Sequence, residues 1–198
     1  MKKLVSLVLV ILAFIALPAF AQEQETKPET MSMTPPQPLA DDLLKWMVGE
    51  WQGTTTMASG KSQDWQKVEL GLDNQFVITN LTSKWTEINP EAMKMSKEDA
   101  DKMKDMPYKG MGMMTLNPTT GEFVGHWFDN WRGTYTGTGK REGDKITATW
   151  QGAMGTRTET MEKVGADKMV ITFSQKDPSG NVMEGRTEFT RTKGGAKS

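Results

Sequence analysis

The sequence predicts an all-β domain: an antiparallel sandwich or barrel of about ten strands, opened by one short helix and interrupted by one helical insertion. Three observations predict it. Turn signals recur at Ser59-Gly60, Asp73-Asn74, Asn117-Pro118-Thr119-Thr120-Gly121, Glu142-Gly143-Asp144, Gly165-Ala166-Asp167 and Asp177-Pro178-Ser179-Gly180. The segments between them are rich in Thr, Val, Ile, Trp and Phe, which suit a pleated surface. Several of those segments alternate apolar and polar residues with period two.

Residues 1–21 are expected to be a secretory signal peptide. Lys2 and Lys3 form a charged start, Leu4 to Leu17 is apolar apart from Ser6, and Pro18 breaks the stretch. Ala19-Phe20-Ala21 is a small-x-small cleavage site, so the cut is placed after Ala21. The competing reading is an N-terminal membrane anchor, but the stretch is short for a span. No cysteine follows it, which excludes a bacterial lipid anchor. The expected destination is the periplasm or the exterior, with no integral membrane segment left after cleavage.

Residues 22–38 hold Glu, Gln, Thr, Ser and Pro with almost nothing to bury, and read as a disordered leader. The folded domain is expected over 39–192, and 193–198 as a flexible tail. Asp41 and Asp42 can cap a helix whose stripe is Leu43, Leu44, Met47 and Val48, with Gly49 ending it. Strands are then expected at 49–58, 63–72, 75–87, 108–116, 122–130, 132–141, 145–151, 154–163, 168–175 and 182–192. Val68, Leu70 and Leu72 share a face, as do Ile146, Ala148 and Trp150, and Met169, Ile171 and Phe173. The insertion runs from Ile88 to Pro107. Ser96-Lys97-Glu98-Asp99 is a variant capping box, Ala100 and Met103 follow on one face, and Pro107 stops the helix.

Composition excludes whole classes of function. Of 72 apolar residues, 17 lie in 1–21, leaving 55 of 177, about 31%, which is low for a globular domain. The formal charge moves from −1 to −3 when Lys2 and Lys3 leave, so nucleic-acid binding has no electrostatic support. With no cysteine there are no disulfides, thiolate catalysis or thiolate metal sites.

Leu44-Lys45-Trp46-Met47-Val48-Gly49-Glu50-Trp51-Gln52-Gly53, a short helix feeding a Gly-x-Trp strand, resembles the entry to the lipocalins and fatty-acid-binding proteins of the calycin superfamily. Asn117 to Val124 followed by Trp127-Phe128-Asp129 resembles the central turn and W-x-D strand of the bacterial lipocalin-like "domain of unknown function 1579" family. The Asp177 to Gly180 turn and Glu188-Phe189-Thr190-Arg191 resemble its ending. The resemblance spans most of residues 43–192. It implies an up-and-down β-barrel with a central cavity, and no assigned activity. In lipocalins a pair matching Trp51 and Arg191 closes the barrel bottom, so barrel closure is the role expected of these two. The segment Glu91 to Met106 is longer than that pattern leads one to expect.

Candidate chemistry is sparse. His126 alternates with Val124 and Phe128; haem ligation, base catalysis and pocket hydrogen bonding compete with a merely structural or exposed histidine, which is favoured. Asp129 is three residues from His126, hence on the other face, and Glu159 and Glu162 are similarly split. No nucleophile elbow or Glu/His metal spacing occurs, so no catalytic residue, no metal site and no cofactor is assigned. Trp127 and Trp150 are the candidate cavity rings, with His126 as a pocket contact; Arg132, Arg157 and Arg186 can meet a ligand carboxylate if they point inward, and solvated side chains are the equal alternative.

Methionine is the odd abundance, sixteen in all, with Met93, Met95, Met103, Met106, Met111, Met113 and Met114 in one stretch. Met93, Met95, Met103 and Met106 are expected to form an adaptable lid. Thioethers also suit Cu(I), but no histidine is near in sequence. The expected function is an exported barrel binding a small hydrophobic or amphipathic molecule, not an enzyme. The alternatives are a structural or interaction protein without a cavity ligand, or a Met/His copper or haem protein.

Overall fold

The computed structural model describes residues 37–117 and 119–192. The export segment 1–21, most of the 22–38 leader and the tail 193–198 lie outside the described residues. Ten strands form the domain: β1 (Gly49–Met57), β2 (Gly60–Gly71), β3 (Phe76–Ile88), β4 (Tyr108–Leu116), β5 (Phe123–Asp129), β6 (Thr134–Glu142), β7 (Lys145–Gly152), β8 (Gly155–Lys163), β9 (Lys168–Lys176) and β10 (Val182–Arg191). Each pairs antiparallel with the next, and β10 pairs back onto β1, closing an up-and-down barrel.

Three helices accompany it: α1 (Asp42–Met47), α2 (Pro90–Met93) and α3 (Lys97–Lys104). The insertion is thus two short helices, each with its own cap. Asn89 Oδ1 accepts from the Ala92 N–H and Ser96 Oγ from the Asp99 N–H. Ala100 is the buried contact of α3, which packs on β3.

The strand bounds differ from expectation at one instructive place. β6 starts at Thr134, two residues late, because Arg132 sits at φ 64° in a turn held by Asp129, whose Oδ1 accepts from the N–H groups of Trp131 (2.9 Å) and Gly133 (2.8 Å). Val48 is the C-terminal cap of α1 rather than part of its stripe, and Gly49 already belongs to β1.

All turns fall at two ends. The end that holds α1 also holds the β2–β3, β4–β5, β6–β7 and β8–β9 connections. There the inward residues Trp51, Val68, Val77, Phe123, Ile146, Met161, Met169 and Phe189 are at most 6% exposed, and Leu43, Leu44 and Met47 of α1 complete the core cluster. Burying a side chain of this size contributes about 1.5–3 kcal/mol. Disulfides are absent, so this core carries the stability.

The plug of that end is a set of satisfied polar groups. Arg191 stacks over Trp51, 4.1 Å from guanidinium carbon to ring centroid, and donates to the carbonyls of Val48 and Trp46, both at 2.6 Å. The Trp51 indole N–H donates to the Met47 carbonyl at 2.8 Å, and its ring meets Trp46 edge-on at 5.1 Å. Arg141, from β6, pairs with the capping residue Asp41. The chain order β1 to β10 therefore ends by locking the helix that begins it.

Candidate functional site

The opposite end holds the β1–β2, β5–β6, β7–β8 and β9–β10 turns and the helical insertion. Here the inward-facing positions of β3 to β9 are less sealed, while Thr55, Ser62, Asp64 and Thr187 of β1, β2 and β10 stay buried. Leu81, Tyr108, Trp127, Asp129, Tyr135, Arg157 and Gln175 are all half-buried.

A waist of two tryptophans separates the halves. Gly112 pairs with Trp127 across β4–β5, and Gly137 with Trp150 across β6–β7. Each indole lies flat over the missing side chain. A Cβ on Gly112 would stand 2.6 Å from Trp127, and one on Gly137 2.5 Å from Trp150, so only glycine fits under either ring. Trp150 is buried, edge-on to Phe123 at 5.8 Å between centroids, and its N–H donates to Glu159 Oε1 at 2.9 Å.

Above the waist the polar groups are organised in three sets. The Trp127 N–H donates to the Tyr108 hydroxyl at 2.8 Å, and that hydroxyl lies 3.5 Å from Asp129 Oδ2, the outer limit for a hydrogen bond. Burial pushes the Tyr108 phenol up to about 12; the Trp127 hydrogen bond opposes this and the Asp129 charge adds to it. Tyr135 is raised as well, first by burial and then by Asp129. In the second set, Arg157 donates from Nε to Glu159 Oε2 at 2.9 Å while its guanidinium lies 3.8 Å over the Phe173 ring. In the third, Asp64, only 3% exposed, accepts from Thr55 (2.5 Å) and Ser62 (3.0 Å), and Thr55 also meets the Thr187 hydroxyl at 2.6 Å. Thr79, opposite Val68 on β2 and Gly112 on β4, has a buried hydroxyl with no partner among the described residues.

Three carboxylates, Asp64, Asp129 and Glu159, thus point inward in this half against one guanidinium, Arg157, which is already paired. This arrangement favours a ligand with rings and hydrogen-bond donors over an anionic one. It offers no nucleophile–base–acid chain, and among the described residues no group of three His, Asp or Glu is placed to hold a metal ion.

Of the residues singled out from sequence, Trp127 and Arg157 face into the open half and Trp150 forms the waist beneath them. His126 and Arg186 require correction. Both are exposed and lie on the outer wall, because their strand neighbours Gly125, Trp127, Gly185 and Thr187 take the inward phase. Arg186 pairs outside with Glu188 at 3.0 Å. Arg132 is exposed in the β5–β6 turn. Of the four methionines expected as a lid, Met93, Met95 and Met103 are half-buried and Met106 is exposed. Met106 borders a shallow hollow at the rim with Pro107, Lys109 and Trp131. Sequence reasoning missed Tyr108, Tyr135 and Asp64, and set aside Asp129 and Glu159. The pairing of glycine with tryptophan across adjacent strands was the signal that could have oriented these strands.

No protein-family model matches the sequence, and no curated protein matches it. Solved structures do match in fold. The chain is similar to the S-type phycobiliprotein lyase CpeS from Guillardia theta, with 10% identity and a TM-score of 0.55 over 78% of this chain and 92% of that one. It is also similar to Rv2717c from M. tuberculosis, with 11% identity and a TM-score of 0.53 over 77% and 99% of the two chains. At these identities the likeness establishes the barrel fold. Among the described residues no helix is long and apolar enough to cross a membrane.

Proposed function

We propose that this chain is a small-molecule-binding barrel whose ligand sits in the open half, above the tryptophan waist. The observation that carries the reading is the contrast in exposure among inward residues: sealed around α1, half-buried at Tyr108, Trp127, Tyr135 and Arg157. Concave sites lined by aromatic rings with a few convergent polar groups are the usual form of ligand pockets. The ligand is amphipathic, ring-bearing, and neutral or cationic rather than a fatty acid, since the one inward guanidinium is already neutralised by Glu159. The role is binding rather than catalysis. The barrel is exported after cleavage at Ala21, and membership of the "domain of unknown function 1579" family fits its motifs. A periplasmic fraction whose intact protein mass begins at Gln22 would support export, and a cytoplasmic full-length mass would overturn it.

The ligand reading is tested with N-phenyl-1-naphthylamine, a neutral ring-bearing probe, against laurate. The probe is expected to brighten on binding, Trp127→Ala to weaken it about tenfold or more, and laurate to compete poorly. Trp65→Ala, on the exposed outer wall, is expected to leave binding unchanged. Probe binding that survives Trp127→Ala, or no binding at all, overturns the reading.

A further inference from the structure

The outer wall of β4 and β5 carries a feature that ligand binding inside the barrel does not use. We infer that Met111, Met113 and His126 form a surface site for one soft monovalent cation, Cu(I) or its analogue Ag(I). In sequence, residues 114–125 separate Met111-x-Met113 from His126. The β4–β5 hairpin brings them together: Met113 and His126 are direct partners across the ladder, and Met111 is the diagonal neighbour, paired with Phe128. Direct partners have Cβ atoms about 4.5–5.5 Å apart and diagonal ones about 7–8 Å, within reach of a shared ion for thioether and imidazole side chains.

Phase puts all three on the same side of the wall. Gly112, Met114 and Gly125 are buried inward, while Met111 is 43% exposed, Met113 half-buried and His126 exposed. No protein side chain holds the His126 imidazole among the described residues, so its ring nitrogens are free to coordinate. The adjoining outward positions on the neighbouring strands, Ile78 and Asn80 on β3 and Thr134 and Thr136 on β6, are uncharged, and the charged neighbour on the same face is Lys109, two residues before Met111. Two thioethers and one imidazole without a carboxylate select against hard divalent ions and suit Cu(I). A closed barrel also fixes the spacing before the ion arrives, which lowers the ordering cost of binding.

The test uses the full exported chain, titrated anaerobically with Cu(I) against bicinchoninate. One Cu(I) per chain is expected. Ag(I) is expected to shift the single histidine's NMR signals at one equivalent. His126→Gln and Met113→Leu are each expected to lower affinity about tenfold or more, and the triple variant with Met111→Leu to abolish binding. These positions face solvent, so circular dichroism is expected to stay unchanged. The double variant Met93→Leu/Met95→Leu is expected to bind like the parent. No copper held against the chelator, or stoichiometry that survives the triple variant, overturns the inference. Neither result bears on probe binding inside the barrel.

Discussion

The two ends of this barrel are built from the same ten strands, yet they solve opposite problems. Around α1 the plug's polar groups are answered: Arg191 by two carbonyls and the Trp51 face, Trp51 by the Met47 carbonyl, Asp41 by Arg141. Around Tyr108 and Trp127 the inward groups are half-exposed and richer in carboxylate than in cation. The difference teaches that apolar share is a poor measure of this fold's stability. The low figure of about 31% is an average over a sealed end with a full core and a less sealed end with little.

The largest test of that contrast is deletion of one ring at each end. Trp51→Ala removes a side chain that is 1% exposed and leaves Arg191 without its stacking partner, so a loss of about 3–5 kcal/mol is expected. Trp127→Ala removes a ring that is only half-buried, and about half that loss or less is expected. Urea denaturation followed by circular dichroism measures both. Equal losses would mean that the two ends share one core and would break the comparison.

Ionisation gives a second test, confined to the open end. The Tyr108 phenol is pushed up to about 12 from an ordinary value near 10, so the folded state favours its neutral form. Its contribution is complete below pH 10 and is lost as pH rises from 10 toward 12, by up to about 3 kcal/mol at about 1.36 kcal/mol per pH unit. Tyr135 adds to the loss in the same direction. Tyr108→Phe is expected to be less stable at neutral pH, because the Trp127 N–H loses its acceptor, but to show a shallower fall between pH 10 and 12. An unchanged slope in Tyr108→Phe would assign alkaline unfolding to some other group.

Most of the fold was legible, and the reason is periodicity. Ile146, Ala148 and Trp150 alternate so cleanly that strand, partner and turn follow together. What alternation cannot supply is the sign of a face. In β5 both phases are aromatic, Phe123 and Trp127 on one and Phe128 on the other, so hydrophobicity alone does not tell inside from outside. Glycine decides it: Gly110 and Gly112 of β4 leave room for the Trp127 ring, and His126 consequently faces out. The polar groups of the open half were illegible for a related reason. Asp64 and Tyr108 lie on different strands, and only barrel closure aims them at a common interior. The juxtaposition of Met113 and His126 depends on register, which the six-residue connection from 117 to 122 determines.

The smallest expected effect lies on the outer wall and guards the comparison against a false positive. Glu188 is held below the usual carboxylate range, first by its hydrogen bond to Lys168 and then by that to Arg186. A depressed carboxyl contributes above its unfolded value and loses that contribution as pH falls through the folded one. All three groups are solvated, so Arg186→Ala is expected to leave stability at neutral pH unchanged within error. The Glu188 carboxyl, followed by NMR, is expected to rise modestly in Arg186→Ala and further in Lys168→Ala, because Lys168 is the stronger influence. Probe binding in the open half is expected to be untouched by either change. If Arg186→Ala instead weakened the probe, the outer wall would belong to the ligand site, and the confinement of probe binding to the interior would fail at β10.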